Sequence, residues 1–195
     1  TSNIDWDAVG VCGHFLTNWC YEPNVIKQIS SHYKTKGPLS DEQIESIRNI
    51  RSHMAGFNLS RQIYWSRFDL ELHESTEFWP KIQKKLWDGH FVIPHDSDDS
   101  QITAWSSVFC QNMGAAYYGD LWSKMMAADI YSAFQEIPQG DDQQIKETAL
   151  RFKDTFLSLG GSVPAGEVFR RFRGRDPNSK ALLKHLGLKP KEIKA

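Results

Sequence analysis

Seven histidines and 24 carboxylates supply raw material for a metal or acid–base site, and their spacing decides whether one forms. His73-Glu74-Ser75-Thr76-Glu77 comes nearest to a metal pattern. Two histidines at i and i+4 share one helix face and can grip a single zinc ion, while a glutamate between them activates water. Here the fifth residue is Glu77 rather than His, and the segment runs towards Pro80, so it reads as a solvated helix terminus. His90 and His95 lie among Asp88, Asp96, Asp98 and Asp99. Carboxylates of this kind usually face water, and a solvated loop is preferred there over a weak cation site. His14 sits in an apolar stretch and reads as a core or interface histidine. His32, His53 and His185 fall near expected helix C-termini, where a partly charged imidazole suits the helix dipole. No Gly-rich phosphate loop, nucleophile elbow or Cys/His pairing occurs. The residues alone assemble no catalytic constellation.

The elements that would position a site are helical throughout. The stretch from Gly114 to Phe134 repeats apolar residues at three- and four-residue steps: Tyr118, Leu121, Trp122, Met125, Met126, Ile130, Phe134. That period predicts one long helix with a broad buried face, with Ser123, Lys124, Asp129 and Ser132 on the solvent side. Upstream, Val9 to Tyr21 reads as a helix weakened by Gly10 and Gly13. A second helix is expected from Asn24 to Tyr33, following Pro23. Ser40 followed by Gln43 is a capping-box pattern that starts a third. Further helices are expected over Phe57–His73, Pro80–Trp87, Asp142–Leu157, Pro164–Phe172 and Pro177–Leu186. Asp88–Ser100 is rich in Gly, Pro, Asp and Ser and reads as a loop. No strand alternation appears. The expected fold is all-α, a single helical domain over 1–188 with a mobile tail over 189–195.

With 195 residues the chain is long enough for a real core. A net charge of −1 and the lack of a basic stripe argue against nucleic acid or a membrane surface as partner. No apolar run approaches the ~20 residues of a membrane span. Three cysteines, Cys12, Cys20 and Cys110, in no zinc-like spacing read as free, buried thiols in a reducing compartment. The chain opens at Thr1 without an initiator Met, which is read as processing or as a piece of something larger.

At Tyr117-Tyr118-Gly119-Asp120-Leu121-Trp122-Ser123, continuing to Ala127-Ala128-Asp129-Ile130-Tyr131, the chain resembles the thimet oligopeptidase family of zinc metallopeptidases, which includes oligopeptidase A, neurolysin and mitochondrial intermediate peptidase. Other stretches agree in order: His32-Tyr33-Lys34 with Gly37-Pro38-Leu39, the turn Leu159-Gly160-Gly161-Ser162, and Phe172-Arg173-Gly174-Arg175-Asp176-Pro177 with His185-Leu186-Gly187-Leu188. The resemblance covers nearly the whole chain and corresponds to the last third of a family peptidase. It implies a multi-helix fold like the C-terminal part of the family's catalytic domain.

The departures from the family pattern bear on function. The family's HExxH, with two zinc ligands and the catalytic Glu, lies upstream of the matching region, and no His-Glu-x-x-His occurs in this chain. The third zinc ligand is a Glu in a segment that lines up with Thr1 to Trp19, and its position falls on Gly10. The family's substrate-facing His and Tyr before the tyrosine pair fall on Val108 and Met113. Tyr117 and Tyr118 are kept, and the next substrate-side Tyr is Asp120. A phenol donates a hydrogen bond to a developing oxyanion, whereas an ionised carboxylate repels it. The resemblance with these losses implies a degenerate relative acting as a structural or accessory subunit, with other protein subunits covering the surface on which upstream peptidase parts would pack. It implies no metal bound by this chain and no catalytic residues, with Val108, Met113, Tyr117, Tyr118 and Asp120 as vestigial substrate-binding positions. The alternative is the C-terminal piece of a split or truncated zinc endopeptidase, with zinc as cofactor. Free cysteines point to a reducing interior, family members occur in the cytosol and in organelles, and the missing initiator Met, compatible with removal of a transit peptide, leans the expectation to a mitochondrion.

Overall fold

The computed structural model describes residues 3–188, and the expected tail 189–195 lies outside the described residues. Among the described residues every regular element is helical, as expected. The α-helices are α1 (Val11–Trp19), α2 (Pro23–Ile29), α3 (Asp41–Ser52), α4 (Ala55–Glu74), α5 (Trp79–Trp87), α6 (Ser106–Cys110), α7 (Gly119–Gln135), α8 (Asp142–Phe152), α9 (Ala165–Arg173) and α10 (Lys180–His185). A 3-10 turn covers Gln101–Ala104, and a wide π turn, Lys153–Leu157, follows α8.

Local chemistry sets several boundaries. Ser40 Oγ accepts from Gln43 N at 3.3 Å while Ser40 N donates to Gln43 Oε1 at 2.9 Å, the reciprocal capping expected at the start of α3. The second helix stops at Ile29, short of the expected Tyr33. Ser30 turns extended, its hydroxyl accepts from Leu39 N at 3.0 Å, and His32 N donates to Gly37 O at 2.8 Å. A side chain that binds a distant backbone amide competes with helix continuation.

By its contacts the chain divides into two compact units. The larger comprises residues 3–53 and 122–188 of the described chain, and the smaller is Met54–Leu121. In the larger unit Val11 and Phe15 of α1, Met126 and Ile130 of α7, Phe152 of α8, and Phe169 and Phe172 of α9 form one buried cluster. Phe15 and Phe152 lie 4.3 Å apart between ring centres, and Trp19 meets Tyr131 edge-on at 5.3 Å. In the smaller unit Tyr64 and Phe68, one turn apart on α4, face Ile82 and Leu86 of α5. Four of the seven tryptophans, Trp65, Trp79, Trp87 and Trp105, pack on that cluster.

Two polar residues expected on the solvent side of α7 are buried. Ser123 is 1% exposed and donates to Asp7 O at 2.6 Å. Asp129 is 0% exposed and holds Arg175 bidentately, at 2.7 Å and 2.6 Å. It also accepts from Asn178 N at 3.1 Å, and Arg173 Nε lies 3.3 Å away. A carboxylate so enclosed is compensated by its partners, so its polarity does not mark a solvent face. Trp122, expected on the buried face, is instead 41% exposed. Asn178 is tied to Asp129, and α10 begins at Lys180 rather than at Pro177.

Two further expectations change. Cys20 and Cys110 are exposed, because they end α1 and α6 instead of occupying a packed face; Cys12 is half-buried. His185 is not partly charged. Burial first, and the charge of Arg51 second, hold its pKa down to about 4, against an ordinary 6.5.

Candidate functional site

The site is built on the segment between α6 and α7. Apolar spacing alone would continue α7 back to Gly114, but the helix starts at Gly119. The cause is Asp69, on α4 and 0% exposed. Its Oδ1 accepts from Ala115 N and its Oδ2 from Tyr117 N, each at 3.0 Å. Binding two nearby amides of one segment to a single carboxylate folds that segment into a turn, with Ala115 at φ +57°.

His73, one turn after Asp69 on α4, completes the clamp. Its Nδ1 lies 2.7 Å from the main-chain oxygen of Asp69 and 3.2 Å from Oδ1. Both neighbours are acceptors, so Nδ1 carries the proton. Gly114 lies against the Nε2 end of this ring: a Cβ there would stand 2.8 Å from His73 Nε2. The HESTE stretch is thus neither a metal pattern nor only a solvated terminus, because its histidine braces the turn. Nor do His90 and His95 form a cation site with the loop aspartates. Among the described residues no three His, Cys, Asp or Glu side chains converge as a metal site.

A cleft of about 310 Å³ opens beside the turn. Gln62 and Ser66 of α4 form one wall, and Ser107, Gln111, Met113, Tyr117, Asp120 and Leu121 form the rest. Three of the positions singled out in the sequence, Met113, Tyr117 and Asp120, therefore share one cleft. Tyr117 is held through its amide by Asp69 and through its ring by Trp105, edge-on at 4.9 Å. Val108 is 5% exposed on α6 and packs into the interior instead. Tyr118 is half-buried and does not line the cleft. Asp120 is exposed in the first turn of α7, where the helix dipole favours a carboxylate. Hydroxyls, amides and one carboxylate can hydrogen-bond a polar ligand. No histidine or cationic side chain lines the cleft to stabilise an oxyanion.

Gly10 lies in the larger unit, immediately before α1. A Cβ at this position would stand 3.2 Å from His14 Cδ2 and Nε2 and 3.2 Å from Ser123 Cβ. Both neighbours would have to give by a few tenths of an ångström to admit a Cβ there. A zinc ion requires three protein ligands in a catalytic site. The donor set described here does not fit one: position 10 offers no donor atom, and no convergent His/Cys/Asp/Glu group replaces it.

Residues 1–188 match the model of Peptidase family M3. The chain belongs to this family. Organellar oligopeptidase A, chloroplastic/mitochondrial, of Arabidopsis thaliana is 35% identical over 193 residues, which span 95% of this chain and 24% of the relative. Oligopeptidase A of Escherichia coli is 35% identical over 195 residues, spanning 96% of this chain and 28% of the relative. Saccharolysin of Saccharomyces cerevisiae is 24% identical over 195 residues, with coverage of 95% and 26%. The chain thus spans about a quarter of the length of these M3 relatives, which include proteins named for an organelle and, in Arabidopsis thaliana, a probable cytosolic oligopeptidase A. Asp69 escaped the sequence reading, and His73 entered it only as the start of a metal-like pattern. A charged residue between Phe68 and Leu70, four before a histidine, was the available signal. No helix among the described residues is long and apolar enough to cross a membrane.

Proposed function

We propose that this chain is a non-catalytic, degenerate member of peptidase family M3 that serves as a structural or accessory subunit of a larger, mitochondrial assembly. The observation that carries this reading is the missing donor at Gly10, the position at which the family resemblance puts the third zinc ligand, with His14 and Ser123 standing 3.2 Å from where a Cβ would lie. The cleft offers Met113 and Asp120 where the family presents phenols. Leu16, Ile29 and Tyr33 are exposed on the larger unit and are apolar side chains that contact with other protein chains could cover. The test is purification of the protein in its native form, followed by zinc analysis and assay on short peptides. Co-purifying subunits with neither zinc nor hydrolysis are expected; a monomer with a peptidase activity abolished by chelators would refute the reading.

A second reading, the C-terminal part of a zinc endopeptidase acting on short peptides, is favoured by the ordered Tyr117 edge of the cleft and by relatives named oligopeptidases. It requires the metal to be held by residues outside this donor set. Chelator-sensitive hydrolysis by the native protein separates it from the first.

A further inference from the structure

The net charge of −1 conceals a division along the chain. Residues 170–195 hold nine of the 23 Lys and Arg but two of the 24 Asp and Glu, so positive charge gathers in this stretch. Much of it is neutralised within the fold. Asp129 holds Arg175 bidentately, and Glu136 takes Arg173 in a fork at 3.0 Å and 2.7 Å. Arg170 pairs with Asp176, and Arg171 with Glu167. Lys180 and Lys184 of α10 differ. Both are exposed, and among the described residues neither meets a carboxylate.

The two lysines are one turn apart on α10, which puts them on one face of the helix. They line a groove of about 250 Å³ within the larger unit, together with Gln135 and Glu136 of α7 and Arg175 and Asn178 of the connection between α9 and α10. The acceptors of this groove are already engaged. Glu136 is met by the full charge of Arg173, and Ser132 Oγ, on the same wall, donates to Asp129 O at 2.8 Å. Donors remain. Each lysine brings an ammonium group, and Asn178 keeps its NH2 group because its side-chain oxygen accepts from Lys180 N at 3.0 Å. A groove with donors in excess and two uncompensated cations is complementary to carboxylates.

We propose that this groove docks an acidic segment of a partner protein, with Lys180 and Lys184 each receiving a carboxylate. Residues four apart on a helix are separated by about 6 Å along its axis. Alternate residues of an extended chain, which share one side of it, are separated by about 6.6 Å. Two carboxylates at alternate positions of an extended segment therefore match the two lysines. Outside residues 170–195 the chain carries 14 Lys and Arg against 22 Asp and Glu. A long nucleic acid or an anionic bilayer would meet that negative charge beyond the groove, whereas a short acidic segment would not. The groove shares no residue with the cleft beside Tyr117. The inference deepens the subunit reading by giving the chemistry of one partner. Its test involves neither zinc nor hydrolysis, so the two fail separately.

The experiment follows the fluorescence anisotropy of a labelled peptide of alternating Glu and Ser, titrated with the full chain at physiological ionic strength. A peptide with Gln in place of Glu is the control, and an oligothymidine of equal charge and phosphatidylserine vesicles serve as competitors. The side-chain amide NMR signals of Gln135 and Asn178 are recorded with the acidic peptide. Saturable binding of the acidic peptide is expected, with both amides shifting along the same isotherm and the Gln peptide far weaker. The double variant Lys180→Gln/Lys184→Gln should weaken binding about fivefold or more, as expected for two partly screened ion pairs. Both side chains are exposed, so the variant tests the groove rather than folding. Lys146→Gln/Lys153→Gln makes the same charge change at exposed positions on α8 and the π turn, and should leave the affinity within about twofold. Absence of saturable binding, equal binding of the Gln peptide, unmoved amides, or an equal loss in both double variants overturns the proposal. Displacement by the oligonucleotide or the vesicles at lower concentration than by unlabelled acidic peptide overturns it too.

Discussion

Replacing Asp69 by Asn tests the clamp that shapes the cleft. The carboxylate is fully buried and accepts from Ala115 N and Tyr117 N, with His73 Nδ1 as a third neighbour. Asparagine keeps one acceptor oxygen and turns an NH2 group towards one of the two amides. One charge-assisted hydrogen bond is lost, worth about 1.5–3 kcal/mol, and a donor then faces a donor in a partly buried site. The expected loss of stability is about 2–4 kcal/mol, a large share of the roughly 5–15 kcal/mol that holds a typical protein folded. Urea denaturation of parent and variant gives the difference. Hydrogen exchange adds a local reading, because protection should fall first at Ala115 and Tyr117, ahead of the α4–α5 core around Tyr64 and Ile82. A loss below about 0.5 kcal/mol, within the range of an ordinary surface change, with unchanged protection at both amides, would show that Asp69 does not shape the turn.

Gly10→Glu restores the residue type of the family's ligand position but must push aside the His14 ring and Ser123, each 3.2 Å from the new Cβ. It should destabilise by about 1–3 kcal/mol and bring no stoichiometric zinc; uptake of zinc at unchanged Tm would contradict the crowding. His185 predicts a pH dependence. Its folded pKa of about 4 lies below the unfolded 6.5, so between those values the unfolded state binds more protons. Stability should therefore fall as pH drops from 6.5 towards 4, by up to about 3 kcal/mol at about 1.4 kcal/mol per pH unit. His185→Gln should flatten that part of the urea-midpoint profile, and an unchanged slope would refute the assignment. The Glu136 carboxyl, held below its usual value by Arg173, overlaps only the acid end of that window: its contribution is present above the unfolded pKa of about 4.5 and is lost as pH falls through its lower folded value.

How far the sequence reveals this protein depends on how local each cause is. The start of α3 was legible because Ser40 and Gln43 are three residues apart and satisfy each other. The start of α7 was not, because the carboxylate that breaks the apolar period sits 46 and 48 residues before the amides it binds. Ser123 and Asp129 were assigned to solvent by residue type alone; their partners, Asp7 and Arg175, are 116 and 46 residues away. Met113, Tyr117 and Asp120 were named through the family resemblance, together with Val108 and Tyr118, which do not line the cleft. The opposite wall, Gln62 and Ser66, comes from α4 and carries no motif. Family membership was legible from ordered short motifs that tolerate such long-range blindness, and the profile over residues 1–188 bears it out.

A non-catalytic M3 chain, as proposed above, holds no zinc of its own. Metal analysis of the native protein, purified without chelators and assayed in the same preparation on short quenched-fluorescent peptides, addresses it directly. Trace zinc far below stoichiometry and no hydrolysis that a chelator removes are expected. Stoichiometric zinc together with chelator-sensitive cleavage would contradict it.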